Sequence, residues 1–337
     1  MFFSRSKSKL GVDIGTSTIK LVQLKKEDGK YDLESYGIVN VAYQISSEAG
    51  ADVIGQMADI LKKLLAKSRI TAKKVVASLP NNTVFISVID MPAMSERELK
   101  SAIEWEARRY IPLPIEEVTL SWSVLREAPD AEKIKVLITA VPTTVIDNYL
   151  KMFKLAGLEP EALEIEALAL IRSLVGVRQD SFIIIDIGAR NTSLNLVDKG
   201  FLRISRNLSM GGETITSGIA HSLHVSLARA EQFKIDLGFS GELQQIPQVM
   251  RSVADSIKTE TSQLVKIYES GGGKIEEIIL AGSGSRLPGL QSYFADLGVK
   301  TTLGEPLKFI NFDPRLKEEL SRVALGLSVS FGLAMRD

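Results

Sequence analysis

The sequence predicts an α/β protein of two duplicated lobes, with a small α/β subdomain inserted into the first. Three observations lead there. Asp-Ile-Gly closes an apolar strand twice, at Asp13-Ile14-Gly15 and at Asp186-Ile187-Gly188, and each copy opens a strand, turn and strand. Leu21 and Leu194 each stand eight residues after the aspartate of their copy, a match over a length that suits an ancient duplication rather than a short solenoid repeat. A third apolar strand, Ile278-Ile279-Leu280-Ala281, runs into Gly282-Ser283-Gly284.

Composition narrows the function classes. The chain has 337 residues, enough for two lobes with real cores. Lys plus Arg and Asp plus Glu are equal at 41 each, so no net field draws the protein to nucleic acid or anionic lipid, and a partner must be met by a local surface. Absence of cysteine excludes disulfides, thiolate nucleophiles and Cys-based metal sites; the two histidines, His221 and His224, serve zinc poorly and read as ordinary helix residues. A metal here would be a hard ion held by oxygen. The N-terminal decapeptide carries Arg5, Lys7 and Lys9 without the apolar run of a signal peptide. The uncharged C-terminal stretch, 323–335, is shorter than the roughly 20 residues of a membrane span and reads as a buried terminal helix. A soluble, cytoplasmic protein is expected.

The elements follow in order. Residues 10–15, 19–25 and 31–41 read as an antiparallel meander, its second turn at Asp28-Gly29. Val53, Ile54, Met57, Ile60, Leu61, Leu64 and Leu65 recur at helical spacing. A strand pair at 75–79 and 84–89 opens the inserted subdomain. Ser95 and Glu98 form a capping box for a helix with Leu99, Ala102, Ile103 and Tyr110, stopped by Pro112 and Pro114. Strands at 119–125 and 136–141, around a charged loop at Pro129, complete the insert. A helix from Thr144 ends at Gly157 and another covers 164–175. The second meander takes 182–188, 192–197 and 201–206. Helices over 212–223, 226–237 and 247–270 come next, the last with a core stripe of Val249, Met250, Val253, Ile257, Leu264 and Ile267. Past Gly271-Gly272-Gly273 lies the third strand, with Pro288 just inside the following helix. The expected segments are 1–74 and 143–178 for the first lobe, 75–142 for the insert, and 179–208, 209–273 and 274–337 for the second lobe, the C-terminal helix included.

Three strand-to-loop turns carry the chemistry. Short residues after a strand let backbone N–H groups converge on an anion, and Gly15, Thr16, Ser17 and Thr18 add hydroxyls and a following Lys20. Gly188, Arg190, Asn191 and Thr192 offer the same materials from the other lobe. Both are phosphate loops, with the nucleotide between the lobes. Asp13 and Asp186, at the two strand ends, are the candidate carboxylates for hydrated Mg²⁺, which takes one or two carboxylates plus phosphate oxygens. Gly282, Ser283 and Gly284 are nearly bare backbone, suited to a sugar or flat base, and Arg286 is positioned to cover its other face. Gly211, Gly212 and Glu213, with Glu231 and Lys234 on the next helix, are candidates for ribose and base contacts.

At these residues the sequence resembles the actin-like ATPase superfamily, whose first phosphate, second phosphate and adenosine motifs match residues 13–20, 186–192 and 280–284. Lys20, seven residues after Asp13, matches the lysine which that superfamily places near the phosphates. Finer features resemble the PilM family of type IV pilus assembly proteins, part of its FtsA-like branch: Asp90-Met91-Pro92, the run from Ile103 to Pro112 around Trp105, Ala156-Gly157-Leu158-Glu159-Pro160, Met210-Gly211-Gly212-Glu213, Ala230-Glu231-Gln232-Phe233-Lys234 and Phe331-Gly332-Leu333-Ala334-Met335-Arg336.

The resemblance implies an actin-like ATPase fold with an FtsA-type inserted small subdomain, ATP or ADP with Mg²⁺ as ligand, and the N-terminal cytoplasmic tail of the membrane protein PilN as partner. That tail would lie in a groove between the first lobe and the insert. If Trp105 and Tyr110 face it, Trp105→Ala abolishes tail binding and spares ATP affinity. Association with the cytoplasmic face of the inner membrane through partners is implied, with the motor ATPases and inner-membrane platform as further contacts and homo-oligomerisation left open. Glu164 or Glu166 would position water for hydrolysis, which is expected to be slow or negligible, with ATP acting as a clamp. FtsA proteins continue into an amphipathic membrane helix, whereas this sequence ends at Asp337 after its last core helix, so FtsA-like membrane attachment is not expected; Phe2 and Phe3 beside Arg5 and Lys7 offer a faint alternative. An FtsA-like filament former, another secretion-system scaffold and, in a different class, a small-molecule kinase are the competing expectations.

Overall fold

In the computed structural model, residues 8–42, 44–125, 133–240 and 246–336 are described. Phe2, Phe3, Arg5 and Lys7, the loop around Pro129, and Asp337 lie outside the described residues.

The first meander is β1 (Ser8–Ile14), β2 (Thr18–Glu27) and β3 (Lys30–Asn40). Along β1 every residue from Leu10 to Ile14 is buried, as expected of a strand covered on both faces. The amphipathic helix α1 (Ala51–Lys67) buries Ile54, Met57, Leu61 and Leu64. β4 (Lys74–Leu79) then joins the sheet parallel to β1. The insert is β5 (Phe85–Pro92), α2 (Glu96–Ala107), β6 (Val118–Leu125) and β7 (Lys133–Pro142). Its helix starts on the Ser95–Glu98 capping box, both halves of which form. α3 (Thr143–Ala156) stops at Gly157, whose φ of 74° is the left-handed C-cap that glycine adopts without Cβ strain. Next come β8 (Glu159–Ile165) and α4 (Glu166–Leu170), the latter running into a wider π turn at Ile171–Val175.

The second meander, β9 (Ser181–Ile187), β10 (Thr192–Asp198) and β11 (Phe201–Leu208), leads to α5 (Gly212–Leu223), α6 (Leu227–Leu237) and α7 (Gln248–Ser270). β12 (Glu277–Ala281), α8 (Leu290–Tyr293), β13 (Thr301–Leu303) and β14 (Ile310–Asn311) follow. The chain closes with α9 (Lys317–Val323) and α10 (Ser328–Ala334).

Strand order makes the duplication explicit. The first lobe runs β14-β3-β2-β1-β4-β8 and the second β11-β10-β9-β12-β13. Superposing the meanders therefore sets β4 against β12 and β8 against β13, each pair parallel to its neighbours. The insert keeps its own sheet, β5-β7-β6, and its own core around Ile103, Ala107, Val136 and Ala140. The main core is shared between lobes: Phe182, Ile184, Val197 and Leu202 of the second sheet belong to one cluster with Val12 of β1, Leu170 of α4 and Val175 of the π turn.

Several expectations change. The strand pair at 75–79 and 84–89 does not form: β4 bonds to β1 and β8, and β5 to β7. Residues 159–165, the start of which lay outside any expected helix and the end inside one, form β8, because pairing with β4 outweighs the helix-favouring composition of Glu-Ala-Leu-Glu. The helix expected over 164–175 starts at Glu166 and ends in the π turn. Pro288 precedes α8 instead of starting it. Ile267 of the α7 stripe is exposed, while Met250, Val253, Ile257 and Leu264 are buried. The C-terminal helix, assigned to the second lobe, packs on the first. An ideal Cβ on Gly11 of β1 would lie 2.1 Å from the Ser330 carbonyl oxygen, and one on Gly332 would lie 1.9 Å from that of Ala169. Only glycines allow α10 to come so near.

Candidate functional site

The two Asp-Ile-Gly turns close in the same way. Gly15 N–H donates to Thr18 O at 2.9 Å and Gly188 N–H to Asn191 O at 3.0 Å. Each meander thus delivers its aspartate at the end of a strand, and the two face each other between the lobes. Asp13 is 3% exposed; its carboxylate accepts from Ser78 Oγ at 2.9 Å and pairs with Lys20 Nζ at 3.1 Å. The lysine is placed by register, since Asp13 and Lys20 are directly opposite across the antiparallel β1–β2 ladder.

Burial would pull the Lys20 ammonium down, but Asp13, Asp186 and Glu166 together hold it above the ordinary lysine value. Asp186 is pushed up to about 6, chiefly by burial, with Lys20 offsetting and Asp13 adding to the shift. Glu166 is raised well above the carboxylate range by burial first and then by Asp13 and Asp186. Three carboxyl groups thus share one lysine. Among the described residues no group of three or more His, Cys, Asp or Glu side chains could hold a metal ion by itself, so a cation here would need oxygens from a ligand as well.

The third loop completes the floor. Gly282 has φ +79°, and an ideal Cβ there would lie 2.3 Å from Asp186 Oδ1, so the loop can touch the aspartate only because position 282 is glycine. Gly284 lies against Ile187 in the same way, its Cβ position 2.5 Å from Ile187 Cγ2. Ser283 abuts Gly326 of the C-terminal segment. Arg286 donates to Ser321 O at 2.8 Å, away from any covering position.

Across the mouth, Glu213 ties the two Asp-Ile-Gly loops together. Its carboxylate accepts from Ser17 Oγ of the first loop and from Arg190 Nε of the second, the latter at 2.8 Å. Burial would raise its pKa, yet these donors hold it below the ordinary value. Gly212 and Glu213 N–H donate to Gly188 O and Ala189 O, fixing α5 to the loop, and Gly211 fits because its Cβ position is 2.5 Å from Gly188 O. Lys234, nearly buried, is spent on Gly212 O, Thr216 Oγ1 and Glu231 Oε2. Thr192, fully buried, donates to Met210 O. Thr16, Thr18 and Asn191 are half-buried on the loops.

The two candidate water-positioning residues separate. Glu166 Oε2 accepts from Asn81 Nδ2 at 2.6 Å and joins the aspartates. Glu164, on β8, is taken up by Arg172 at 2.5 Å and Arg336 at 3.2 Å, and is not brought into the cluster. The sequence left Ser78 and Asn81 unnoticed, and also Tyr149, a fully buried phenol whose pKa is raised first by burial and then by Glu166 and Asp13. Asn81 follows an apolar strand as Leu79-Pro80-Asn81-Asn82, the signature that marked the other three loops; assigning that strand to the insert hid it.

A cavity of about 210 Å³ lies between the insert and the second lobe, bordered by Phe85, Ile86, Tyr110 and Ile138 on one side and Ser205 and Asn207 on the other. Tyr110 is half exposed; Trp105, 66% exposed on α2, does not border it. Among the described residues no helix is long and apolar enough to cross a membrane.

A family model described as Type IV pilus assembly protein PilM matches residues 11–337. The solved structure of a PilM-PilN type IV pilus biogenesis complex is similar at TM-score 0.86 and 28% identity, covering 98% of either chain. The ethanolamine utilization protein EutJ of Carboxydothermus hydrogenoformans gives a TM-score of 0.62 at 17% identity, over 98% of this chain and 89% of that one. MreB 5 of Spiroplasma citri, solved bound to AMPPNP, gives 0.53 at 14% over 97% and 95%. Cell division protein FtsA of Streptococcus pneumoniae is 22% identical over 254 residues, 68% of this chain; the chain spans 55% of that relative's length. The fold is the actin-like ATPase fold, in its FtsA-like branch.

Proposed function

Because the chain belongs to the PilM family of type IV pilus assembly proteins, we propose that it is a nucleotide-dependent scaffold of pilus biogenesis, acting at the cytoplasmic face of the inner membrane through its partners. The observation that carries this reading is the convergence of Asp13, Lys20, Asp186 and the Gly282 loop between two matching loops. ATP or ADP would lie there; the similar MreB 5 structure named above was solved bound to AMPPNP.

The residues fit that ligand. Gly15 to Thr18 and Gly188 to Asn191 would cradle phosphates from opposite lobes, with Ser17 and Arg190 exchanging the Glu213 carboxylate for phosphate oxygens. Asp13 and Asp186 would hold Mg²⁺, which supplies the positive charge that three crowded carboxyl groups and a triphosphate require. Gly282 and Gly284 would admit the adenosine against bare backbone. Turnover is slow in this reading: of the two carboxyl groups that could position water, Glu164 is taken up by Arg172 and Arg336 and Glu166 is engaged by Asn81. Nucleotide then biases the lobe arrangement, and with it partner binding.

The partner is the N-terminal cytoplasmic tail of PilN, by analogy with the PilM-PilN complex. An extended tail would lie in a groove between the first lobe and the insert, distinct from the cavity that the insert forms with Ser205 and Asn207; apolar walls and a few polar anchors are the usual means of peptide capture. Trp105 and Tyr110, large and exposed on one end of the insert, are its candidate anchors. Calorimetric titration with a synthetic PilN tail tests this. Trp105→Ala and Tyr110→Ala are expected to weaken tail binding at least about tenfold, roughly 1.4 kcal/mol, with ATP affinity intact; loss of both affinities, or of neither, contradicts the assignment.

A further inference from the structure

The strand order pairs the loop after β4 with the loop after β12. Each leaves a parallel strand, and each coils into a short 3-10 turn, Asn81–Thr83 in one case and Ser283–Arg286 in the other. The second of these packs on Asp186. Its twin reaches the same cluster from the first lobe, through Asn81.

Asn81 is 6% exposed and links two other parts of the molecule. Its Nδ2 donates to Glu166 Oε2 at 2.6 Å, and its main-chain oxygen accepts from Asn207 Nδ2 of β11, in the other lobe, at 3.2 Å. Its Oδ1 is buried with no hydrogen-bond partner. The turn around it is tight, because Pro80 O accepts from both the N–H and the Oγ1 of Thr83. Val84 and Phe85, next along the chain, border the cavity under the insert, and so does Asn207. Asn207 also stands level with Asp186, since both oppose Ser193 across β10. One turn therefore joins the carboxylate cluster, the second lobe and the cavity wall.

We propose that Asn81 is a positioning residue that couples nucleotide occupancy to the wall of the cavity beneath the inserted subdomain. Displacement of β11 relative to the first lobe pulls on the Asn207–Asn81 bond. The rigid 81–83 turn passes that displacement both to the Glu166 carboxyl and to Val84 and Phe85. A nucleotide drawing the lobes together shortens the same path and orders the wall. This rests on the nucleotide reading above; the contacts of Asn81 with Glu166 and Asn207 stand on geometry alone.

Hydrogen exchange on the full chain, with and without Mg·ATP, tests the coupling, with the ATP Kd measured on the same samples. In the wild type, ATP is expected to slow exchange at residues 84–87 by about fivefold or more, the low end of ordinary site-to-site coupling. Asn207→Ala should bind ATP with unchanged Kd and lose that ATP-dependent protection; Asn81→Ala should lose it as well. A merely structural role would raise exchange equally with and without ATP, leaving the difference intact. ATP-dependent protection equal to wild type in the variants overturns the proposal, as does ATP binding to the wild type without any change at 84–87. Absence of ATP binding to the wild type overturns the nucleotide reading itself, and the Kd measurement distinguishes that case. If Asn81→Ala does not fold, Asn207→Ala decides.

Discussion

Asp186 shows what a single buried carboxylate does to this molecule when no ligand is bound. Burial pushes its pKa to about 6 against 3.8 for the free side chain, with Asp13 adding to the rise and Lys20 offsetting it. The folded state therefore binds the proton more tightly than the unfolded chain. Below the unfolded value near 3.8 there is no penalty; as pH rises to about 6 the penalty grows, and above that it is constant. Asp186→Asn removes the charge and keeps the shape. At pH 8 the ligand-free variant should be more stable than wild type by about 2 kcal/mol, a discounted conversion of the shift, and the gain should vanish as pH approaches 4. Thermal melts at several pH values check this; an equal or lower Tm at pH 8 would contradict it. Part of this was legible. Asp13, Asp186 and Lys20 are marked by tripeptide and spacing, but the sharing of one lysine by three carboxyl groups arises from the meeting of two lobes, which no local pattern reveals.

At the scale of elements, the loops were readable and the edges were not. Small polar residues after an apolar strand give a local signal, so three of the four strand-end loops stood out. β8 did not, because Glu159 to Ile165 is strand only through its pairing with β4. The same holds for β13 and β14, short strands that pair with distant partners. Chain order also misassigned the last helix. α10 returns to β1, where Gly11 permits contact with Ser330 and Ala334, and its Phe331 packs with Val22 and Leu24. Gly11→Ala places a methyl carbon where backbone already lies, 2.1 Å from Ser330 O and 2.7 Å from Ala334 N. Overpacking of this kind costs about 3 kcal/mol, so urea unfolding should show a large fall in midpoint with unchanged slope. A midpoint within error of wild type would mean that α10 does not dock as described.

At the scale of the whole molecule, the lobes are joined below and gated above. A common core holds their bases together through Phe182, Ile184, Val197 and Leu202. Around the cleft polar links connect them: Ser17 and Arg190 through Glu213, and Asn207 through Asn81. Hydrogen bonds that water can replace separate at modest cost, whereas the shared core does not, so the molecule is built to hinge. In the proposed reading this division would give the nucleotide its role: phosphate between the loops would replace the Glu213 contacts, while the insert keeps a separate core. The family was legible from motifs that run along nearly the whole chain, and its model matches residues 11–337; the path from cleft to insert was not, because Asn81 and Asn207 meet only in the folded molecule.

The central claim is that Asp186 serves a ligand at the expense of the empty fold. Its most direct test is a titration of wild type and Asp186→Asn with Mg·ATP at pH 8, with Tm recorded on the same samples. The wild type should bind ATP, and the variant should melt higher when empty yet bind at least about tenfold more weakly. Equal ATP affinity in the two proteins, or no binding by a folded wild type, would contradict the account.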